Sequence, residues 1–254
     1  MKQTIIAVIN QKGGVGKTTT AVNLAAQLAT KDAPVLLVDL DPQGNATSGL
    51  GLDKASLQPT SYDVLFGRAS LDQAVHATNR DDLYILPANA ELAAAEIELV
   101  GQQNREFCLR SALQVGTFGY VVIDCPPALG LLTINALTAA HQILIPVQSE
   151  YYALEGLGQL LDTVQRVRQG INPSLELLGV VLTMFDKRTS LSEQVMTELQ
   201  NHFGDKLFKT VIPRNVRLAE APSFGKTIFE HDKWSKGARA YKQLAKEVAR
   251  RVNG

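Results

Sequence analysis

Six side chains in the first half of the sequence have the types and spacing to handle phosphate groups: Lys12, Lys17, Thr18, Asp39, Asp41 and Asp124. The first three fall in Gln11-Lys12-Gly13-Gly14-Val15-Gly16-Lys17-Thr18-Thr19, between an apolar run, Ile5–Ile9, and a helix-like run from Thr18 to Ala29. The common phosphate-binding pattern asks for Gly at the first of eight positions and Gly-Lys-Ser/Thr at the last three. Gly16-Lys17-Thr18 meet its end, but Gln11 holds the first position and an additional lysine, Lys12, the second. Gly13, Gly14 and Gly16 allow backbone conformations closed to other residues and let amides approach phosphate oxygens. The start of the next helix adds unpaired N–H groups and partial positive charge. In that setting Lys17 reaches the β- and γ-phosphates and the Thr18 hydroxyl ligates Mg²⁺. Residues Lys12, Gly13, Gly14, Val15, Gly16, Lys17, Thr18 and Thr19 are thus the candidate cofactor-binding loop. A glycine-rich turn without a ligand is the competing reading, and on this segment alone Lys12 also suits a solvated loop lysine.

The carboxylates follow apolar runs. Asp39 ends Val35–Asp39, Asp41 lies in the turn beyond it, and Asp124 closes Tyr120–Asp124 ahead of Cys125-Pro126-Pro127. An Asp after an apolar strand beside a phosphate loop is the Walker B arrangement, in which the carboxylate holds Mg²⁺, usually through water. Thr18, Asp39 and Asp124 are therefore the metal candidates, and Asp41 is placed to orient an attacking water. Lys17 and Asp41 are the candidate catalytic residues on this reading, with the role of Lys12 left open. Any single Asp at a strand end is also a common helix cap or turn former.

Strand-like and helix-like segments must position these groups. The strand candidates are Thr4–Ile9, Val35–Asp39, Leu83–Pro87, Tyr120–Asp124, Gln142–Val147 and Leu177–Met184, with a weaker one near Leu207–Val211. Helix candidates span 18–30, 90–99, 104–115, 131–140, 153–169, 190–203 and 236–251, and the irregular stretch 42–82 is expected to hold short helices. Val/Ile/Leu runs that are apolar nearly throughout indicate strands covered on both faces. The expected fold is α/β: a doubly wound, mainly parallel sheet flanked by helices on both faces, as in P-loop NTPases, with residues 1–254 as one domain. Ligands in such sheets collect at the carboxyl ends of the strands, where all six residues fall.

Composition narrows the classes. The chain has 254 residues, 45% apolar and 20% charged, with two cysteines, Cys108 and Cys125, at no paired spacing. That argues against a disulfide framework or a zinc site. No leader is read at the N-terminus, and no apolar run approaches the ~20 residues that span a bilayer, so a cytoplasmic protein is expected. Net charge is zero, yet residues 1–186 hold 11 Lys/Arg against 18 Asp/Glu, and residues 187–254 hold 14 against 7. The basic end is the footprint of polyanion binding, or else ordinary solvated helix surface.

The motifs Lys12–Thr19, Asp39-Leu40-Asp41-Pro42-Gln43-Gly44-Asn45 and Asp124-Cys125-Pro126-Pro127 together resemble the deviant Walker A ATPases of the MinD/ParA clan. Ile212–Lys226, reading IPRNVRLAEAPSFGK, and Pro146–Gly156, reading PVQSEYYALEG, resemble its chromosomal ParA/Soj branch. The resemblance covers nearly the whole chain. It implies an ATPase of chromosome or plasmid partition that takes ATP and Mg²⁺ and forms a sandwich homodimer. That dimer binds double-stranded DNA without sequence preference, until a ParB/Spo0J-type centromere-binding protein stimulates hydrolysis and releases it. It further implies that Lys12 reaches the partner's nucleotide, Asp41 positions the hydrolytic water, and Pro213 and Asn215 hold adenine. Arg188 and Arg217 match its DNA-contacting positions, and the charge count adds Lys226, Lys233, Lys236 and Arg239. The basic part, 187–254, thus carries adenine contacts and a DNA face, and the protein is expected in the cytoplasm on the nucleoid. An initiator such as DnaA is a further partner that the resemblance leaves open.

A MinD-like, membrane-cycling ATPase is the alternative. It needs bulky apolar residues opposite basic ones on a C-terminal amphipathic helix. The run Tyr241–Gly254 is amphipathic, but its apolar face is small and suits docking on the protein's own sheet. A nitrogenase-iron-protein-like reductase is disfavoured, because Cys108 and Cys125 do not match that family's cluster ligands and read as buried hydrophobes.

Overall fold

A computed structural model of the protein describes residues 3–114, 118–150 and 155–254. Tyr151–Leu154 of the second branch motif, with the ends of two helix candidates (115 and 153–154), lie outside the described residues. The apolar runs become strands β1 (Thr4–Val8), β2 (Val35–Asp39), β4 (Leu83–Leu86), β5 (Tyr120–Asp124), β6 (Gln142–Gln148) and β7 (Glu176–Thr183). A two-residue strand, β3 (His76–Ala77), was not expected from sequence; it is too short to show a period. The sheet order is β3-β4-β2-β5-β1-β6-β7. Neighbours are parallel except for the β3–β4 edge pair.

Alternation explains the layers. Along β1, Ile5 and Ala7 enter one core while Ile6 and Val8 enter the other. The first core receives Leu132 and Ala136 of the helix Leu131–Ala139, Leu157 and Leu160 of Glu155–Gly170, and Val195 and Leu199 of Ser190–Phe203. The second core holds the helices Lys17–Leu28 and Lys236–Asn253, through Ala21, Leu24 and Ala25 and through Tyr241, Leu244 and Val248. β2 and β5 are buried at all five positions, as their unbroken apolar sequences require. With β1 between β5 and β6, the chain winds outward in both directions from the strand that feeds the phosphate loop.

The irregular stretch holds short helices at Asn45–Gly49, Ser61–Leu65 and Leu71–Ala74, the last two opened by capping boxes Thr60/Asp63 and Ser70/Gln73. The weak strand near Leu207–Val211 does not form; the segment meets β7 through an isolated bridge, Val180–Leu207. Buried Glu247 explains this by accepting the amides of Lys209 (3.0 Å) and Thr210 (3.1 Å), groups a strand would need for its ladder. Arg251 takes the carbonyls of Lys206 and Leu207 at 3.2 and 2.9 Å and lies over the Phe208 ring. A Cβ on Gly179 would strike both the Lys206 carbonyl and this guanidinium, so glycine is required there.

Candidate functional site

The loop after β1 turns through two left-handed residues, Gly14 (φ 76°) and Gly16 (φ 88°), before the helix Lys17–Leu28 begins. Side chains at those angles would be strained. Among the described residues, a Cβ on Gly13 or Gly14 would meet no atom within 4 Å, so they leave the loop an open cradle. Val15 is buried, and its carbonyl accepts the Thr183 hydroxyl at 2.8 Å, which ties the loop to the end of β7. Lys17 is also buried, and its ammonium donates to the Lys12 carbonyl at 3.0 Å. Burial lowers the Lys17 pKa, while the nearby charges of Asp124 and Asp41 act to raise it.

Two carboxylates stand side by side because β2 and β5 align residue for residue, with Asp39 opposite Asp124. Both are fully buried, but their surroundings differ. Asp39 Oδ2 accepts the Thr47 amide (2.8 Å) and hydroxyl (2.7 Å), and Oδ1 accepts the Asp41 amide (3.2 Å). Burial pushes its pKa up to about 6 even so, against the pull of the Thr47 bonds. Among the described residues, neither oxygen of Asp124 accepts a hydrogen bond of good geometry, although the Thr18 hydroxyl lies beside it. Burial first, then the charge of Asp39, raises its pKa well above the ordinary range, while the Thr18 hydroxyl works to lower it. A buried carboxylate with both oxygens unpartnered calls for a cation. The hard oxygens of Thr18 and Asp124 therefore fit Mg²⁺. The oxygens of Asp39 are committed to shaping the 41–47 turn. Asp41, nearly buried, accepts the Gln43 amide at 2.9 Å and leaves its second oxygen for another donor.

Lys12 is turned elsewhere. Its ammonium is 2.6 Å from Glu150 Oε2, and both side chains are nearly half exposed (43% and 45%).

Beside the loop lies a cavity of about 420 Å³, lined by Gly16, Thr19, Met184, Pro213, Asn215 and Tyr241 among others. Asn215 Oδ1 accepts the Arg217 amide (2.8 Å) as the cap of the helix Val216–Glu220, so its amide group remains to donate to a ligand. Met184, at φ 52°, and Tyr241 were missed from sequence; the position of Met184 just past an apolar strand was the available signal.

A second, larger cavity of about 820 Å³ shares Pro213, Arg214 and Val216 with the first. It gathers Arg188, Lys236 and Arg239 of the expected cations and adds Lys187 and Arg214, which sequence reasoning passed over. Arg217 lies outside that lining, held by Glu220 at 2.8 Å and Asp232 at 3.7 Å. Lys226 and Lys233 do not line the groove either. Within it, Arg188 is 87% exposed and forks onto Asp186 at 2.9 and 2.7 Å, which holds that carboxyl far below the usual carboxylate range.

A family described as an AAA domain matches residues 3–177. Sporulation initiation inhibitor protein Soj of Bacillus subtilis (strain 168) is 57% identical over 247 residues, covering 96% of this chain and 98% of that protein. Chromosome-partitioning ATPase Soj of Thermus thermophilus is 55% identical over 247 residues, covering 97% and 96%. A solved structure, cobyrinic acid a,c-diamide synthase from Mycobacterium smegmatis with bound ATP analogue and magnesium, is 39% identical with a TM-score of 0.87 over 99% of this chain and 96% of that one. Among the described residues, no helix is long and apolar enough to cross a membrane.

Proposed function

The chain belongs to the Soj/ParA family of chromosome-partitioning ATPases, and from that premise we propose that it is an ATP- and Mg²⁺-dependent switch for DNA binding. The nucleotide supplies the phosphoryl group and Mg²⁺ neutralises charge between the phosphates. Gly13, Gly14 and Gly16 admit the phosphates to backbone amides, and Lys17 leaves the Lys12 carbonyl to meet them. Thr18 and Asp124 would hold the metal. Asp41 orients the attacking water through its free oxygen. Pro213 walls the base, and Asn215 donates to it.

Lys12 completes the site of a second copy of the chain. Its ion pair with Glu150 is half exposed and weak, of the class contributing about 0–1 kcal/mol, so it exchanges readily for a partner's phosphates. There it plays the part of a charge delivered in trans as the γ-phosphoryl departs. The ATP-bound homodimer places two basic grooves on one assembly and binds double-stranded DNA on the nucleoid without reading sequence. A ParB/Spo0J-type partner then stimulates hydrolysis.

The observation that carries this reading is the shared wall of Pro213, Arg214 and Val216, which lines both the base cavity and the basic groove. It argues for one device coupling nucleotide to polyanion. The membrane-cycling alternative is weakened because Tyr241, Leu244, Ala245 and Val248 of the C-terminal helix are buried in the protein's own core. DNA binding across a salt series, with ATP or ADP, tests the proposal on the wild type and Lys12→Ala. Binding that needs ATP, falls steeply with salt and is lost in Lys12→Ala is expected. Equal binding with ADP would overturn it.

A further inference from the structure

Trp234 is the one tryptophan of the chain, and it stands 77% exposed. The function above gives it no task. It lies in the turn before the helix Lys236–Asn253, whose first amides are capped by Ser235 (Oγ from Ala238 N, 3.0 Å). Asp232 fixes that turn, with Oδ1 accepting the Trp234 amide at 3.1 Å while Oδ2 lies 3.7 Å from Arg217 Nε. The Lys233 ammonium is 5.3 Å from the indole centre. Two residues on, Lys236 lines the basic groove together with Arg239 and with Val216, itself 70% exposed. The indole is thus an apolar surface held out by a braced backbone, with Lys233 against its ring and the groove cation Lys236 two residues further along the chain.

Phosphate neutralisation alone requires no aromatic group. An aromatic among cations adds apolar contact with the sugars and the groove edges of the bases of a duplex, a contribution that releases no counterions. We propose that Trp234 is a direct DNA contact, its indole packing on the nucleic acid while Lys233, Lys236 and Arg239 hold phosphates. The proposal rests on the DNA-binding reading above. Its second support is charge complementarity, since residues 187–254 hold 14 Lys/Arg against 7 Asp/Glu. Tryptophan beside lysine also suits an anionic membrane surface, but the helix that follows buries its apolar face in the core.

Because Trp234 is the one tryptophan, emission excited at the red edge of the ultraviolet band, where the six tyrosines do not absorb, reports on it alone. With ATP and Mg²⁺, a short DNA duplex should change its emission, and ADP should prevent the change. Trp234→Ala should weaken DNA binding about fivefold to tenfold with the salt slope unchanged, and Trp234→Phe should recover most of the loss. Lys236→Ala, in contrast, should reduce the slope by about one. DNA-free ATP turnover should be the same in Trp234→Ala and wild type. Wild-type DNA binding with silent tryptophan emission and undiminished Trp234→Ala affinity would overturn this inference alone. A blue shift on phosphatidylglycerol vesicles, with sedimentation on those vesicles that Trp234→Ala abolishes and no response to DNA, would overturn it in favour of a membrane. Failure of the wild type to bind DNA with ATP would overturn the functional reading and this inference with it.

Discussion

Replacing Asp124 with Asn should make the nucleotide-free protein more stable at neutral pH. Asp39 and Asp124 are buried opposite one another, and neither is matched by a buried cation's hydrogen bond. The unfolded chain releases the Asp39 proton near 3.8, whereas the folded protein holds it to about 6. Between those values the folded state binds more protons, so stability is full below the lower value and is lost as pH rises through the upper one. A shift of that size corresponds to about 3 kcal/mol of stability lost, and Asp124 moves in the same direction. Asn at 124 cannot ionise, so the variant loses the Asp124 share of this pH dependence and keeps the Asp39 share, which comes from burial and the charge of Asp41. Asp186 and Glu220, pulled down by Arg188 and Arg217, titrate with the opposite sign, but they are common to both proteins and cancel in the difference. Urea unfolding without nucleotide, at about pH 5 and about pH 7.5, measures the effect. The wild type should lose more stability between the two conditions than Asp124→Asn, and the variant should be the more stable at the higher pH. A variant less stable there, or an equal loss in both proteins, would refute the argument.

Lys12→Ala should leave the unfolding midpoint within a few degrees, because its ion pair is half exposed, while turnover falls about 10³-fold in a phosphate-release assay. Lys17→Ala should abolish ATP binding by calorimetry; unchanged affinity would count against the loop assignment. Asp41→Ala should still dimerise with ATP by light scattering yet fail to hydrolyse it, and loss of the dimer would make Asp41 structural. Arg239→Ala should lower the salt slope of DNA binding by about one. Arg188→Ala and Arg217→Ala should do less, because Asp186 already occupies the first guanidinium and Glu220 and Asp232 the second.

The cradle Gly13–Thr19 was legible because its residues are contiguous and act through their own backbone. Asp39 and Asp124 were legible as ends of apolar runs, and parallel register alone sets them opposite each other. Their difference was not, since it depends on Thr47, a residue eight positions beyond Asp39 whose hydroxyl reaches back to it. The groove could be read only as a charge imbalance. Its cations come from three separated stretches, at 187–188, 214 and 236–239, and meet only when the C-terminal helix docks on the sheet. Arg217 shows the opposite failure: motif position marks it, but the sequence reading passed over its helical (i, i+3) partner Glu220, and Asp232 meets it only in the fold. Likewise, strand propensity at 207–211 gave way to Glu247, a long-range acceptor with no local signal.

The buried contact between the Thr20 hydroxyl and Tyr241 Oη, 3.1 Å apart, joins the phosphate-loop helix to the helix that bears Lys236 and Arg239. A further bond, from the Ile228 amide to Asn23 Oδ1 at 2.9 Å, pins the chain leading into that second helix to the first. The two helices are therefore tied at two polar points as well as through their shared apolar core. A displacement of the loop helix would carry Lys236 and Arg239 with it, because the bond between Thr20 and Tyr241 is buried, out of reach of water that could replace it.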